Sequence, residues 1–339
     1  MATACYDARF VTGQRIPRRF VGDQPAVGGT TGVRVFVWRS TDGVYGWWEG
    51  TDVPVKVADG TVTDGPTVAV RRGVALVGWC DARGAVLRSL ALDGALGTPT
   101  RWDGAVRASL AVSGDYAVWV GQLGAGGALA ARGIVDAPGQ PFAEGGSRPA
   151  VVALPDGFVV AWSARAGDDS VLRGQALALD GSARRAPFEV QRVGGVMGPP
   201  SLARSGDRLL FAWSDHRSGD AGLHVLTTNL QGSSAGPAQR LSIRYTDDSM
   251  ASVVGADRRF GVSWSETVAG AAPRSYLARI DAQGRRLGSA MRVAVDDDSG
   301  LRQPSLRWER AGFVLTMARA DGTLELRRTG PRGCDEPLE

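Results

Sequence analysis

The chain has 339 residues, of which 43% are hydrophobic and 22% charged, a balance typical of a globular protein and not of a disordered one. Glycine (47) and proline (17) are too frequent for a mainly helical chain, and no apolar run approaches the roughly 20 residues that cross a bilayer. The net charge is only +4, and the arginines are spread among Asp and Glu, so we expect no nucleic-acid partner.

Along the chain, short apolar runs that end in tryptophan recur at intervals of 41, 40, 43, 51 and 51 residues, and a seventh run with methionine follows after 53. These residues are Trp38, Trp79, Trp119, Trp162, Trp213, Trp264 and Met317. In all units but the third, a proline (once an alanine) stands 13 positions earlier. Such a fixed interval predicts a repeat architecture.

Each unit predicts four antiparallel strands. In the fourth unit, an apolar segment (150–153) precedes a Pro-Asp-Gly turn and then the tryptophan strand. Asp-Gly between two apolar runs favours a tight hairpin, because glycine accepts the positive φ that the turn requires. A third strand (171–179), a second Asp-Gly turn and a fourth strand (187–190) complete the unit. Seven such units predict an all-β chain, a seven-bladed β-propeller of four-stranded antiparallel blades, with six or eight blades as the alternative counts.

We therefore expect one domain, 1–339, with blades at 24–64, 65–106, 107–147, 148–198, 199–249, 250–302 and 303–334. The last unit has no fourth strand before the chain ends. The N-terminal stretch, 6–21, resembles the region between the third and fourth strands of another unit. We predict that this stretch completes the last blade, which closes the ring and leaves few exposed sheet edges.

The cysteines bear on ring closure and on location. Cys5 lies just before the predicted N-terminal strand and Cys334 just after the last C-terminal one. A disulfide between them would lock the ring; the alternatives are Cys5 as an acylated lipoprotein residue, or two free thiols. Both the disulfide and the acylated Cys5 predict an extracytoplasmic protein, whether secreted, periplasmic or surface-bound. Any targeting segment is expected to be absent from this chain. Cys80 is expected to be a free, buried thiol.

The seven repeated residues are predicted to pack within the blades, since apolar residues flank each one and methionine replaces tryptophan once. The alternative is a ring of platforms on which sugars or bases stack. Trp47 and Trp48 differ, because adjacent aromatics on a strand point to opposite faces and one of them is expected to be exposed. A platform for a sugar or a partner aromatic and interblade packing are the two interpretations of this pair.

Two units continue past the tryptophan with an acid and a base, as Trp79-Cys80-Asp81-Ala82-Arg83 and Trp213-Ser214-Asp215-His216-Arg217. Here the chain resembles a broad group of secreted bacterial β-propellers whose blades carry Trp-x-Asp-x-Arg. The resemblance implies the propeller fold and export, and little about activity. From the residues themselves, the Asp and Arg are either a brace between neighbouring blades or ligand contacts.

In a propeller, the loop after the tryptophan strand and the connection between blades lie on one rim. Polar loop residues on a rigid scaffold often carry function, and these loops are longest in units four to six. We therefore predict a binding face there, with the paired tryptophans as a further candidate. Its residues are Asp215, His216, Arg217, Tyr245, Asp247, Asp248, Asp297, Asp298, Trp47 and Trp48.

We expect no cofactor. The acidic clusters at 246–249 and 296–299 could offer oxygen ligands to Ca²⁺, although turns also favour Asp and Ser. No cysteine and histidine set has zinc spacing. Ser40-Thr41-Asp42-Gly43 begins like the Ser-x-Asp-x-Gly-x-Thr-Trp loop of sialidase-like propellers but lacks its remainder.

With no catalytic constellation, the sequence favours an exported, monomeric, non-catalytic binding or scaffold propeller that presents its polar loop face to a protein or glycan at the cell surface. The alternative is a carbohydrate-active enzyme, sialidase-like or otherwise glycoside-processing, that uses the central funnel. A deep axial pocket with several arginines and two nearby carboxylates would favour the enzyme.

Overall fold

A computed structural model describes residues 23–30, 33–124, 127–133, 140–216, 222–242, 251–266, 274–293, 302–309, 312–318 and 324–328. Within these ranges every regular element is a β-strand. The described strands form six sheets of four strands and one of three, and within each sheet consecutive strands pair antiparallel. The predicted all-β, seven-bladed propeller is confirmed. No helix that could cross a membrane occurs in the described part of the chain.

The strands follow one another blade by blade, and each blade begins with its innermost strand. Blades 1 to 4 comprise β1 (Asp23–Thr30), β2 (Val33–Ser40), β3 (Gly43–Trp48), β4 (Val55–Asp59), β5 (Asp64–Arg71), β6 (Val74–Cys80), β7 (Gly84–Leu90), β8 (Thr100–Asp103), β9 (Ala105–Ser113), β10 (Tyr116–Leu123), β11 (Ala128–Gly133), β12 (Gln140–Ala143), β13 (Gly146–Leu154), β14 (Gly157–Ala166), β15 (Asp169–Leu177) and β16 (Phe188–Gly194).

Blades 5 to 7 repeat this arrangement, with three described strands in blade 7. They comprise β17 (Ser201–Ser205), β18 (Arg208–Asp215), β19 (Gly222–Asn229), β20 (Gln239–Ser242), β21 (Ser252–Ala256), β22 (Arg259–Glu266), β23 (Arg274–Asp281), β24 (Met291–Arg292), β25 (Arg302–Glu309), β26 (Gly312–Ala318) and β27 (Leu324–Arg328). The stretch predicted to complete blade 7, 6–21, lies outside the described residues, as do Cys5 and Cys334.

The seven blades form a closed ring around an axis. Each first strand contacts the first strand of the next blade, from β1 through β5, β9, β13, β17 and β21 to β25. The last of these, β25, also contacts β1. Blade 7 therefore lies beside blade 1, and the first strands surround the centre of the ring.

The hydrophobic core lies between the blades, in seven clusters that each join two neighbouring blades. The repeated tryptophan position contributes one buried side chain to each cluster, at the face toward the preceding blade. Their exposed fractions are Trp38 1%, Trp79 7%, Trp119 2%, Trp162 0%, Trp213 2%, Trp264 1% and Met317 0%.

The turn chemistry read from the sequence explains the hairpins between third and fourth strands. In blade 4, Gly181 has φ +89°, in the left-handed region that glycine occupies without a Cβ clash. The preceding Asp180 accepts hydrogen bonds at Oδ1 from the Ser182 N–H (2.9 Å) and hydroxyl (2.7 Å). This Asx-type turn reverses the chain in the space of a few residues.

A buried ion cluster joins blade 7 to blade 1. Arg34 on β2 donates from Nη1 to Glu49 Oε1 (2.6 Å) and Oε2 (2.7 Å), and from Nε to Glu309 Oε1 (2.6 Å) on β25. Its Nη2 donates to Glu309 Oε2. Burial disfavours the Arg34 charge, but the hydrogen bonds and Coulombic attraction of Glu309 and Glu49 outweigh it and raise the pKa of Arg34. The cluster links the two ends of the described ring.

Candidate functional site

A cavity of about 480 Å³ runs along the axis and is lined by the first strand of every blade. Its walls are mainly small residues and the repeated prolines, among them Pro25, Pro66, Pro149 and Pro304. At one end it shares Asp64, Arg107 and Arg148 with a second cavity of about 590 Å³. We call this end the axial mouth, lined by Thr63, Asp64, Val106, Arg107, Gln122, Gly124 and Arg148.

The first strands carry an irregularity at the axial mouth. Gln24, Arg107 and Arg148, each directly before the repeated proline or its alanine equivalent, have left-handed φ values of +48°, +54° and +40°. The pairing register of their strands shifts at the same place. A left-handed backbone costs a non-glycine residue roughly 1 kcal/mol or more. Bulges of this kind redirect side chains, here toward the axis, and occur often beside functional sites.

The neighbouring blades accommodate these side chains. At Gly65, the equivalent position of blade 2, an added Cβ would lie 2.0 Å from Gln24 Oε1, so glycine leaves room for the Gln24 amide. Gln122 on β10 is 8% exposed and accepts from the Arg148 N–H at 3.4 Å, while its Nε2 donates to Gly124 O at 3.4 Å. The axial mouth is thus held by contacts between blades 1 and 2 and between blades 3 and 4.

Two arginines at the axial mouth have no counter-ion within the described part of the chain. Neither the exposed Arg107 nor the half-buried Arg148 forms a described ion pair. The opposite end of the axis has a different lining, chiefly glycine and valine. Arg307, the one arginine of its described lining, pairs with Glu309 at 3.5 Å. The described lining of the axial mouth therefore carries two arginines that form no ion pair.

Asp64 is the one carboxyl group among the described residues of the axial mouth. Burial raises the pKa of Asp64, although attraction to Arg148, the Gly65 N–H (3.2 Å) and attraction to Arg107 all oppose the shift. The carboxyl and the two guanidinium groups thus influence one another without forming an ion pair. Together they offer an anion-binding pair and a hydrogen-bond acceptor at one opening.

Of the eight rim residues predicted from the sequence, two lie among the described residues. Asp215 ends β18 and is 3% exposed, and His216 follows it with its backbone N–H bonded to Val196 O at 3.1 Å. Six others lie outside the described residues, namely Arg217, Tyr245, Asp247, Asp248, Asp297 and Asp298. The proposed calcium clusters are among these, and no group of three or more His, Cys, Asp or Glu gathers in the described ranges.

Trp47 and Trp48 lie on β3 of blade 1, away from Asp215 of blade 5. Trp48 is 2% exposed, and its Nε1 donates to Ala91 O of blade 2 at 2.9 Å. Trp47 is half-buried, 5.5 Å from Phe36 between ring centroids, and donates to Thr51 O at 2.9 Å. The structure does not bring the tryptophan pair together with the rim residues of blade 5.

In blade 2, the Asp of the Trp-x-Asp-x-Arg pattern is Asp81, and it connects parts of its own blade. Asp81 binds Arg101 on β8 through both oxygens, at 2.7 and 2.8 Å. Its Oδ1 also accepts from the N–H groups of Arg83 (2.8 Å) and Gly84 (3.1 Å). The arginine of the pattern, Arg83, points instead to Asp103, at 3.8 Å.

These contacts predict a measurable titration. The hydrogen bonds from Arg101, more than any other cause, lower the pKa of Asp81 from 3.8 to about 2. A lowered pKa stabilises the fold above the ordinary value, and that contribution is lost as the pH falls toward 2. We expect Arg101→Gln to return the Asp81 midpoint toward 3.8 in an NMR titration. Arg83→Gln is the matched control and should leave the Asp81 midpoint low. Equal shifts of this midpoint in both variants would contradict the pairing of Asp81 with Arg101.

The residues of the axial mouth were not predicted from the sequence. A positional signal exists, because Gln24, Gly65 and Arg148 each directly precede the repeated proline, and Arg107 precedes its equivalent Ala108. The backbone pair of Asp64 and Cys80 places the mouth at the end of the strands where the tryptophan strand runs into its loop. The mouth therefore lies at the same end of the strands as Asp215, which ends β18, but it centres on the axis and on blades 2 to 4.

The comparisons with known proteins support the fold. No family model matches the sequence, and no curated protein matches it either. Among solved structures, it is similar to a PL25 ulvan lyase bound to -[GlcA(1-4)Rha3S]-, with a TM-score of 0.60 and 10% identity over 93% of this chain and 95% of that one. An ancestral GH74 enzyme matches with a TM-score of 0.60 and 13% identity, over 94% of this chain and 49% of that one.

A protein of unknown function from Dyadobacter fermentans is also similar, with a TM-score of 0.51 and 12% identity over 80% of this chain and 98% of that one. The chain spans about half the length of the GH74 enzyme that it matches. At these identities, the likeness establishes the propeller fold alone.

Proposed function

We propose that this protein is an exported, non-catalytic binding propeller that takes an anionic group of its partner, a protein or a glycan, at the axial mouth. One observation carries the proposal: Arg107 and Arg148, on neighbouring inner strands, line one opening with no ion-pair partner among the described residues. Guanidinium groups bind carboxylates and related oxyanions through paired, charge-assisted hydrogen bonds. The left-handed backbone at both residues supports a functional constraint on their placement.

The alternative is a carbohydrate-active enzyme that uses the same opening. Asp64 favours it, since a carboxyl group whose pKa is raised by burial suits a general acid. Glycoside hydrolysis generally needs a second carboxyl group nearby, and the described lining of the axial mouth has one. We therefore place binding first. Appearance of new reducing ends or unsaturated products from acidic polysaccharides would reverse this order.

Export and the wider binding face belong to the same proposal. The resemblance to secreted bacterial propellers with Trp-x-Asp-x-Arg blades supports export, as does the predicted pairing of Cys5 with Cys334. We propose the predicted rim of blades 4 to 6 as the outer part of the binding face, because Asp215, which ends β18, and Asp64 lie at the same end of the strands. Calcium at its acidic clusters stays a prediction.

The experiment is an array of anionic and neutral glycans and peptides, probed with the wild type and with Arg107→Asn/Arg148→Asn. Asparagine removes the charge and tolerates the left-handed backbone. We expect the wild type to select anionic ligands and the double variant to bind them at least about tenfold more weakly, since each lost charged hydrogen bond weakens binding by about that factor.

The matched control is Arg258→Asn. Arg258 is an exposed arginine with a left-handed φ of +55°, in the turn between β21 and β22, away from the axial mouth. It changes the same residue type in the same backbone conformation and should leave binding unchanged. Selection of neutral ligands, or equal binding by the double variant and the wild type, would show that the axial arginines do not bind the partner.

A further inference from the structure

We propose that the anionic ligand is a uronic acid residue of an acidic polysaccharide, with its carboxylate on Arg107 and Arg148 and a neighbouring ring hydroxyl donating to Asp64. The inference rests on the proposed function and specifies the ligand of that site. It follows from the combination of charges at the axial mouth, which a purely anionic ligand does not satisfy.

Asp64 is the feature that a simple anion does not explain. A site for negative charge alone would be weakened by a carboxylate beside its arginines, because like charges repel. Asp64 Oδ1 accepts from the Gly65 N–H at 3.2 Å, and no other hydrogen bond to this carboxyl occurs among the described residues. Burial disfavours its charged form. A donor on the ligand would supply the missing hydrogen bond.

The ligand must therefore carry an anionic group and a hydrogen-bond donor at a short, fixed separation. A uronic acid has both, because its carboxylate and its ring hydroxyls are attached to one rigid ring. A fully sulfated sugar has the charge without the hydroxyl donors. An acidic peptide has its carboxylate on a flexible side chain, so fixing both contacts would lose more conformational entropy.

The rigidity of the site favours such a ligand. Arg107 and Arg148 stand on neighbouring inner strands, and Gln122, which is 8% exposed, accepts from the Arg148 N–H at 3.4 Å. A pre-formed site loses little entropy on binding a pre-formed ligand. No aromatic side chain lines either cavity in the described ranges, so stacking does not contribute there and neutral sugars should not bind.

Three matched probes test the assignment by isothermal titration calorimetry at pH 7. Tetragalacturonate carries carboxylates and hydroxyls, its methyl ester carries hydroxyls without charge, and persulfated maltotetraose carries charge without hydroxyl donors. We expect the wild type to bind tetragalacturonate at least about tenfold more tightly than either other probe, the discrimination expected of one unmade charged hydrogen bond.

Two variants of Asp64 separate the hydrogen bond from the charge. Asp64→Ala removes both, so tetragalacturonate should bind about tenfold more weakly and the sulfated probe more tightly. Asp64→Asn keeps an acceptor oxygen, and should retain most of the affinity for tetragalacturonate while it also improves binding of the sulfated probe. Arg258→Asn should bind all three probes as the wild type does.

The outcomes distinguish the two proposals. If Arg107→Asn/Arg148→Asn abolishes binding of tetragalacturonate and of the sulfated probe alike, and Asp64→Ala changes neither, the anion site stands and the uronate assignment is wrong. Tighter binding of a hexaglutamate peptide than of tetragalacturonate would also overturn it, in favour of an acidic protein partner. If the arginine variant binds every probe as the wild type does, the proposed function itself fails.

Discussion

Replacing Arg34 with methionine is expected to lower the free energy of unfolding by about 3–5 kcal/mol, because the change removes the guanidinium that pairs with Glu49 and Glu309. The buried Glu309 carboxylate is left with weaker compensation, from Arg307 at 3.5 Å. The Arg34 side chain is 3% exposed and that of Glu309 is 6% exposed. Two hydrogen bonds join them across the interface between blades 7 and 1. The measurement is urea denaturation followed by tryptophan fluorescence, with the midpoint and slope compared with those of the wild type.

The matched control is Arg72→Met. Arg72 pairs with Asp115, but these side chains are 70% and 50% exposed, and an exposed pair contributes about 0–1 kcal/mol. A second variant, Arg34→Met/Glu309→Leu, removes both buried charges and should recover part of the loss, since replacing a buried pair by apolar residues is often neutral. Recovery should be incomplete, because Arg307 and Glu49 each lose a partner. A loss below about 1 kcal/mol in the single variant would show that the ion cluster does not hold the ring together.

Much of the fold could be predicted because a propeller repeats one local pattern. The tryptophan interval and the Asp-Gly turns are properties of contiguous segments, and they predicted hairpins such as the one at Gly181 (φ +89°). Packing then follows from the repeat, because each tryptophan meets the same kind of neighbour in the preceding blade. The closure by 6–21 stays a prediction, since that stretch lies outside the described residues.

The candidate site was harder to predict because its members share a position and not a residue type. Gln24, Gly65, Arg107 and Arg148 occupy one structural position in successive blades, yet chemically they form no motif. Their backbone conformation depends on a bulge against the second strand, which a sequence without its pairing register does not reveal.

Long-range pairing also limited the interpretation of the acidic residues. The sequence placed Asp81 and Arg83 two positions apart and left open whether they brace the blades or contact a ligand. In the structure Asp81 instead binds Arg101, which stands on the next-but-one strand. Arg34 likewise finds Glu309 at the other end of the described chain. Such partners depend on how strands and blades align, so local spacing does not identify them.

Replacing Trp162 with alanine is expected to lower the free energy of unfolding by about 3–5 kcal/mol, the cost typical of a large cavity in a packed core. Trp162 is 0% exposed and lies edge-on to Phe142, with 5.5 Å between ring centroids. An added Cβ on Gly146 would lie 2.7 Å from Trp162 Cδ1 and 2.6 Å from Cδ1 of Leu129 in blade 3, so the interface between blades 3 and 4 is closely filled. Denaturation followed by circular dichroism measures the effect.

Trp47→Ala is the matched control, since it deletes the same side chain from a half-buried position at which Nε1 donates to Thr51 O. It should cost about 1–2 kcal/mol, in proportion to the smaller apolar area removed from water. The comparison also decides between packing and a ligand platform for the repeated tryptophans. If Trp162→Ala kept the wild-type midpoint but lost a ligand, the buried ring of tryptophans would have to open to bind it, and packing would not explain the repeat.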